Sequence, residues 1–129
     1  MIQVPPGPAI PVLSDAQNSA EVAVAAGQVL EVRLSTRPGT GYAWQVVQGP
    51  PAVTVIRQGY GPAPGPYLRT RNGQLGQQVF DVRAPSTPGR IVALALAYRP
   101  VGRRLAFARI WRIRLSIGPA PASLSRPRR

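Results

Sequence analysis

The chain has 129 residues and contains no cysteine, no histidine and no lysine; its only carboxylates are Asp15, Glu21, Glu31 and Asp81. Each absence removes a class of chemistry. Without cysteine there is no disulfide framework, no thiolate metal site and no thiol nucleophile. Without histidine the commonest general base and the commonest metal ligand are missing together. The four carboxylates are scattered through strand-like runs and their edges, which is poor material for a paired-carboxylate mechanism. This inventory argues against an enzyme, and neither a cofactor nor a metal is expected. Long apolar runs are lacking too: nothing approaches the ~20 residues a membrane helix needs, so no membrane span is expected. The opening "MIQVPPGPAIPVLSD" has neither a charged start nor a continuous apolar stretch and does not read as a signal peptide. The protein is expected to be periplasmic or secreted if a leader was removed ahead of this sequence, and cytoplasmic otherwise.

Arginine is abundant instead, and it alone supplies the cations behind the formal net charge of +12. Such a balance favours acidic partners: a nucleic acid, an anionic membrane surface or an acidic protein. A bias to Arg, Ala, Pro and Gly also follows from a genome's base composition, and solvated Arg is ordinary surface. No Arg-rich helix or nucleic-acid motif is present, which disfavours nucleic acid as the partner.

Proline gathers in three segments: residues 1 to 13, the run "GYGPAPGPYLRTRNGQLG" at 59 to 76, and the tail "GPAPASLSRPRR" from 118. Repeated proline removes backbone donors and favours extended, unpacked chain, so the first and last read as mobile ends. The middle segment lies between strand-like runs and is too long for a tight connection. Elsewhere the apolar period is two. Leu30, Val32 and Leu34 alternate with Glu31 and Arg33; Tyr42, Trp44 and Val46 repeat the pattern. Phe80 and Val82 oppose Asp81 and Arg83, and Val92, Leu94, Leu96 and Tyr98 share a face against small Ala. Trp111, Ile113, Leu115 and Ile117 alternate with Arg112 and Arg114, while "EVAVAA" and "VTVIR" add two shorter candidates.

About seven short strands with turn signals between them and no helical stripe predict an all-β fold, an immunoglobulin-like antiparallel β-sandwich. The length suits one such domain. Residues 15–118 are assigned to it, with 1–14 a flexible Pro-rich N-terminal segment and 119–129 a flexible basic tail. Leu34, Val46, Phe80, Leu94, Leu96, Ile113 and Leu115 are expected in its core, and the protein is expected to be a monomer.

Three loops stand out: 35 to 44, 57 to 76 and 98 to 107. The first, "STRPGTGYAW", packs Pro, two Gly and a Thr ahead of two large aromatics, more than a chain reversal requires. Read as residues alone, the positions admit plain structural roles. Trp44 suits a buried strand aromatic, Gly41 a positive φ at a strand entrance, Gly73 and Gly76 a turn, and Arg99 a solvated charge.

Taken together, the three loops resemble the chagasin family of cysteine peptidase inhibitors. That family carries a first motif Asn-Pro-Thr-Thr-Gly-Tyr-x-Trp, a second containing Gly-x-Gly-Gly, and a third reading Arg-Pro-Trp. Pro38, Thr40, Gly41, Tyr42 and Trp44 fall on the first, with Arg37 in place of Asn and Gly39 in place of the first Thr. Gly73, Gln74, Leu75 and Gly76 fall on the second, Leu75 standing where Gly is preferred; Arg99 and Pro100 fall on the third, followed by Val101 where Trp is expected. The resemblance implies a reversible protein inhibitor of a papain-like cysteine peptidase, its second loop wedged into the active-site cleft while the others grip the cleft walls. A glycine-rich tip lets backbone approach an enzyme closely, and Pro38 and Pro100 would reduce the ordering entropy lost on binding. The absent tryptophan removes a large interface anchor: either inhibition is weak, or another residue such as Tyr60, Tyr67 or Phe107 takes its place, or the fold serves a different partner. The competing reading is a non-enzymatic β-sandwich adaptor that binds an acidic protein or nucleic acid through Arg-rich surface; its binding would fall steeply with salt.

Overall fold

The computed structural model describes residues 2–3, 10–37, 40–62, 76–101 and 109–119. Among these, nine strands occur in chain order: β1 (Ile2–Gln3), β2 (Val12–Ser14), β3 (Glu21–Ala25), β4 (Val29–Thr36), β5 (Tyr42–Gln48), β6 (Thr54–Pro62), β7 (Gly76–Arg83), β8 (Ile91–Pro100) and β9 (Arg109–Gly118). A single 3-10 turn at Asp15–Gln17 follows β2. One sheet has the order β1-β3-β9-β8-β5 and the other β2-β4-β7-β6. Their facing sides form the core, as expected of a sandwich.

Period-two alternation decides which residues enter that core. Leu30, Val32 and Leu34 of β4, Phe80 and Val82 of β7, Leu94 and Leu96 of β8, and Ile113 and Leu115 of β9 are all buried there. Val46 is only partly buried, because the β5–β8 register slips between Val46 and Gln48. A bulge of this kind turns the edge strand away from its partner. β6, the edge strand of the other sheet, carries the same device between Val55 and Arg57. On β8, Ala95 and Ala97 are buried as well. β9 and β5 flank this strand, and their longer side chains shield its small ones.

Two expectations change. The strand built on "VTVIR" runs on through Gly59 and Gly61, which pair with Val79 and Gln77 of β7. Backbone pairing at an edge needs no apolar side chain, so periodicity gave no sign of it. At the other end, strand pairing starts ahead of residue 15: β2 pairs in parallel with β4, β1 with β3, and Leu13 is buried in the core. β3 also runs parallel to β9, so the sheets are mixed and their antiparallel part comprises β4–β7–β6 and β9–β8–β5. β3 and β9 come from the two ends of the chain, need no short connection and are free to pair in parallel.

Hydrophobic contact alone does not fix how two sheets slide on each other; directed hydrogen bonds across the gap do. The Gln78 side-chain amide of β7 reaches β5 and acts as a short surrogate strand. Its Oε1 accepts from the Trp44 N–H at 2.8 Å, and its Nε2 donates to the Trp44 carbonyl at 2.9 Å. The Trp44 indole Nε1 donates back to the Ser35 carbonyl of β4 at 2.9 Å. The Trp111 Nε1 donates to the Ser14 carbonyl at 3.0 Å, joining β9 to β2.

Two consequences are measurable. Gln78→Leu keeps the volume but strands a buried donor and acceptor on Trp44, and is expected to cost about 2 to 4 kcal/mol. Urea denaturation should show a lower midpoint with an unchanged slope. Trp111→Phe, which leaves the Ser14 carbonyl without its indole donor, should lower stability by about 1 to 3 kcal/mol in the same assay; an unchanged midpoint in either variant would deny these bonds a structural role.

Candidate functional site

Strand register gathers the three loop segments at one end of the sandwich. Thr36 at the end of β4 pairs with Gly76 at the start of β7, which also pairs with Pro62 at the end of β6. In the other sheet Tyr42 pairs with Pro100, and Tyr98 with Arg109. Segments 37–41, 63–75 and 101–108 therefore all depart from this end. Pro38, Gly39, Gly73, Gln74 and Leu75, together with Tyr67 and Phe107, lie outside the described residues.

Tyr98 organises the part that is described. Trp44 and Arg109 are its cross-strand partners on either side, so the three side chains share the inner face. The Tyr98 ring centroid lies 5.0 Å from that of Trp44 and 5.4 Å from that of Tyr42, both tilted. The Arg109 guanidinium sits 5.3 Å from the Trp44 ring centre and 5.5 Å from that of Tyr98, within range of an electrostatic attraction to both π faces. At the far end of the ring the hydroxyl reaches the opposite sheet: it accepts from the Arg37 N–H at 3.1 Å and lies 3.4 Å from the Thr36 hydroxyl. Burial raises the Tyr98 pKa, but hydrogen bonds with Thr36, the Arg37 backbone and Thr40, aided by the Arg109 charge, outweigh it and leave the phenol below its ordinary 10.0. The surroundings thus favour negative charge on this oxygen.

The first segment is braced by its own backbone. The Thr40 hydroxyl donates to the Arg37 carbonyl at 2.7 Å, a local turn closure of the kind short polar side chains supply. Gly41 follows with φ of +83°, a conformation that strains any residue with a Cβ. Its carbonyl accepts from the Val101 N–H at 2.8 Å, so the first and third segments are tied at their roots. Thr40, Tyr42 and Val101 are exposed, and Val101 shows 65% of its surface.

The remaining candidates divide. Trp44 is 3% exposed and belongs to the core. Arg99 points to the outer face of its sheet, where its Nε donates to Gln45 Oε1 at 2.7 Å. Pro100 closes the β5–β8 ladder opposite Tyr42. Gly76, read from sequence as part of the loop, is instead the first residue of β7, buried and paired on both sides. It belongs to the frame that launches the 63–75 segment. Tyr60, on β6, is 66% exposed. Sequence reasoning missed Tyr98 as the organiser: its alternation marked it as one more core position, and nothing local signals a hydroxyl aimed at the opposite sheet. Among the described residues no group of three His, Cys, Asp or Glu could hold a metal ion.

No curated protein matches the chain by sequence. Solved structures share its fold. The cysteine protease inhibitor EhICP2 from Entamoeba histolytica superposes with a TM-score of 0.68 at 22% identity, covering 86% of this chain and 99% of that one. Amebosin gives 0.65 at 21% identity, with the same two coverages of 86% and 99%. PbICP-C, solved in complex with falcipain-2, gives 0.51 at 12% identity over 90% of this chain and 97% of its own. At such identities these likenesses speak for the fold alone. The sequence profile of the chagasin family peptidase inhibitor I42 matches residues 23–104, a span that includes the first two loop segments and the start of the third. With more than half of its length matched, this chain belongs to the chagasin family of peptidase inhibitors, proteins that block peptidases rather than catalyse a reaction.

Proposed function

We propose that the protein is a reversible inhibitor of papain-family cysteine peptidases that binds through the loop-bearing end of the sandwich. Family membership supplies the class. The observation that carries the placement is the hydrogen bond from the Val101 N–H to the Gly41 carbonyl at 2.8 Å, which makes the first and third segments one surface. Thr40, Gly41, Tyr42 and Val101 on that surface, with Pro38 and Gly39 of the first segment and Gly73 to Leu75 of the second, are the contact residues of this reading. Arg99 and Pro100 lead into Val101, and Gly76 anchors the second segment.

A physical reason favours this end. A loop presented to a peptidase escapes cleavage when it does not settle into substrate geometry, and rigid attachment at its roots prevents that settling. The Tyr98 hydroxyl and the Gly41 carbonyl supply such attachment to the first and third segments with little bulk. Association then costs less ordering entropy than binding of a free peptide would, as in other pre-organised loop surfaces. No bond is made or broken in the proposed inhibition, so the blocked peptidase recovers full activity on dilution.

Titrating papain and a cathepsin L-type enzyme with the purified protein tests the reading directly: stoichiometric, reversible loss of activity is expected, and no inhibition across several papain-like enzymes would end it. Val101→Trp adds an aromatic at an exposed position and is expected to tighten inhibition by about 1 to 3 kcal/mol, roughly five- to a hundredfold. The gain should appear as slower dissociation. An unchanged constant would show that Val101 does not face the peptidase. Tyr98→Phe keeps the ring but deprives the Arg37 N–H of its acceptor, and should weaken inhibition about fivefold, the equivalent of one hydrogen bond. Equal inhibition constants for variant and wild type would mean that this oxygen does not hold the first segment in its binding form.

A further inference from the structure

The segment between β2 and β3 is fastened more heavily than a connection requires. Ser14 caps the 3-10 turn: its N–H donates to Gln17 Oε1 at 2.6 Å and its hydroxyl accepts from the Ala16 N–H at 3.3 Å. Its carbonyl takes the Trp111 indole proton. Further on, Asn18 Oδ1 accepts from the Arg112 N–H at 3.0 Å, and the Ser19 N–H donates to the Arg112 carbonyl at 2.6 Å. This segment is therefore fixed to β9. Between these anchors one side chain, Asp15, turns to the other sheet.

There the Asp15 carboxylate meets β4 one residue short of its end. Oδ1 and Oδ2 lie 3.0 and 3.3 Å from the Ser35 N–H, and Oδ1 also accepts from the Ser35 hydroxyl at 3.1 Å. β2 stops at Ser14, opposite Arg33, so beyond it the outward N–H of β4 has lost its neighbouring strand. The carboxylate supplies the acceptor that the missing strand would have provided, and an ionised acceptor makes a stronger bond than a carbonyl. The same group lies 3.9 Å from Arg109, the cation over the Trp44 and Tyr98 rings. Ser35 in turn offers its carbonyl to Trp44, and Arg37 its N–H to Tyr98.

We propose that Asp15 is a positioning residue for inhibition: by holding the Ser35 backbone and drawing Arg109 onto the Trp44 and Tyr98 rings, it fixes the root of the 37–41 segment in its peptidase-binding form. This rests on the reading of the loop-bearing end as the inhibitory surface. Asp15 lies outside the matched span of residues 23–104, so the family motifs do not assign it. Its role is conferred by contact, since the chain brings it 20 residues along to reach Ser35.

The test pairs two variants with a readout in the free protein. Asp15→Asn retains an acceptor for Ser35 and loses the charge that attracts Arg109; Asp15→Ala loses both. Amide hydrogen exchange is followed at Ser35 and Arg37, with Val32 and Leu94 as core references, and inhibition of papain is measured in parallel. The proposal expects exchange at Ser35 and Arg37 to quicken in the order wild type, Asn, Ala while the core amides keep their protection. Inhibition should weaken in the same order, by about tenfold for Ala, chiefly through faster dissociation. Restoring the carboxylate one methylene further out, with Asp15→Glu, should recover part of the affinity. If wild type and both variants inhibit equally, Asp15 does not position the site although the inhibitor reading stands. If core and loop-root amides quicken together, the residue is a general stabiliser and the proposal is overturned. If wild type does not inhibit at all, the function reading fails, and unaltered Ser35 and Arg37 exchange in the variants would overturn the contact itself.

Discussion

Three segments leave the same end of this sandwich, and the sheets that carry them have to stay in register there. The interaction that meets this demand is the pair of hydrogen bonds from the Gln78 amide to the Trp44 backbone. One side chain of β7 treats the edge of β5 as a neighbouring strand, satisfying a buried donor and a buried acceptor at once. Everything beyond it is built outward. The Trp44 indole returns a bond to Ser35, Tyr98 rests on Trp44 and reaches Arg37, and Arg109 lies against both rings. Lose the amide, and each later contact loses the surface it is stacked upon.

These ties are polar although the interior is apolar, and the division of labour is physical. The leucine and valine layers of β4, β7, β8 and β9 supply burial, which is roughly proportional to area and indifferent to small shifts. Hydrogen bonds are directional and fail when donor and acceptor move apart by less than an ångström. A site whose segments must present a fixed shape therefore needs the second kind of contact near its roots. The structure concentrates them there: Gln78, Trp44, Tyr98, Thr36 and Asp15 all act within the last turns of chain before the loops.

Alternation made the interior legible from sequence. Leu30, Val32, Leu34, Phe80, Leu94, Ile113 and Leu115 needed only a period of two to be placed, because each faces a single apolar layer. What the sequence concealed was of another kind. The β6 extension through Gly59 and Gly61 carries no apolar alternation, and β2 hides in a proline-rich opening with Leu13 as its one buried residue. Gly76 looked like a loop glycine because its role comes from neighbours on both sides, Thr36 and Pro62, that are remote in sequence. Tyr98 and Asp15 show the same limit at the site: the hydroxyl acts across the gap between sheets and the carboxylate on a strand 20 residues further along, where no spacing rule applies. The first loop motif was legible because its residues are contiguous, and Gly41 carries the positive φ that such a glycine permits.

The hydrogen bond between the Val101 N–H and the Gly41 carbonyl has a consequence for how such a surface can change. Two segments that share a backbone bond are inherited as a unit in shape though not in sequence. Side chains other than at Gly41 can be exchanged without breaking this bond, since neither end of it is a side chain. An insertion or deletion in one, however, displaces a partner in the other. Diversification of this end should therefore proceed by substitution in the first and third segments and by length change in the second, and a graft that moves the first segment to another sandwich would have to bring the third with it.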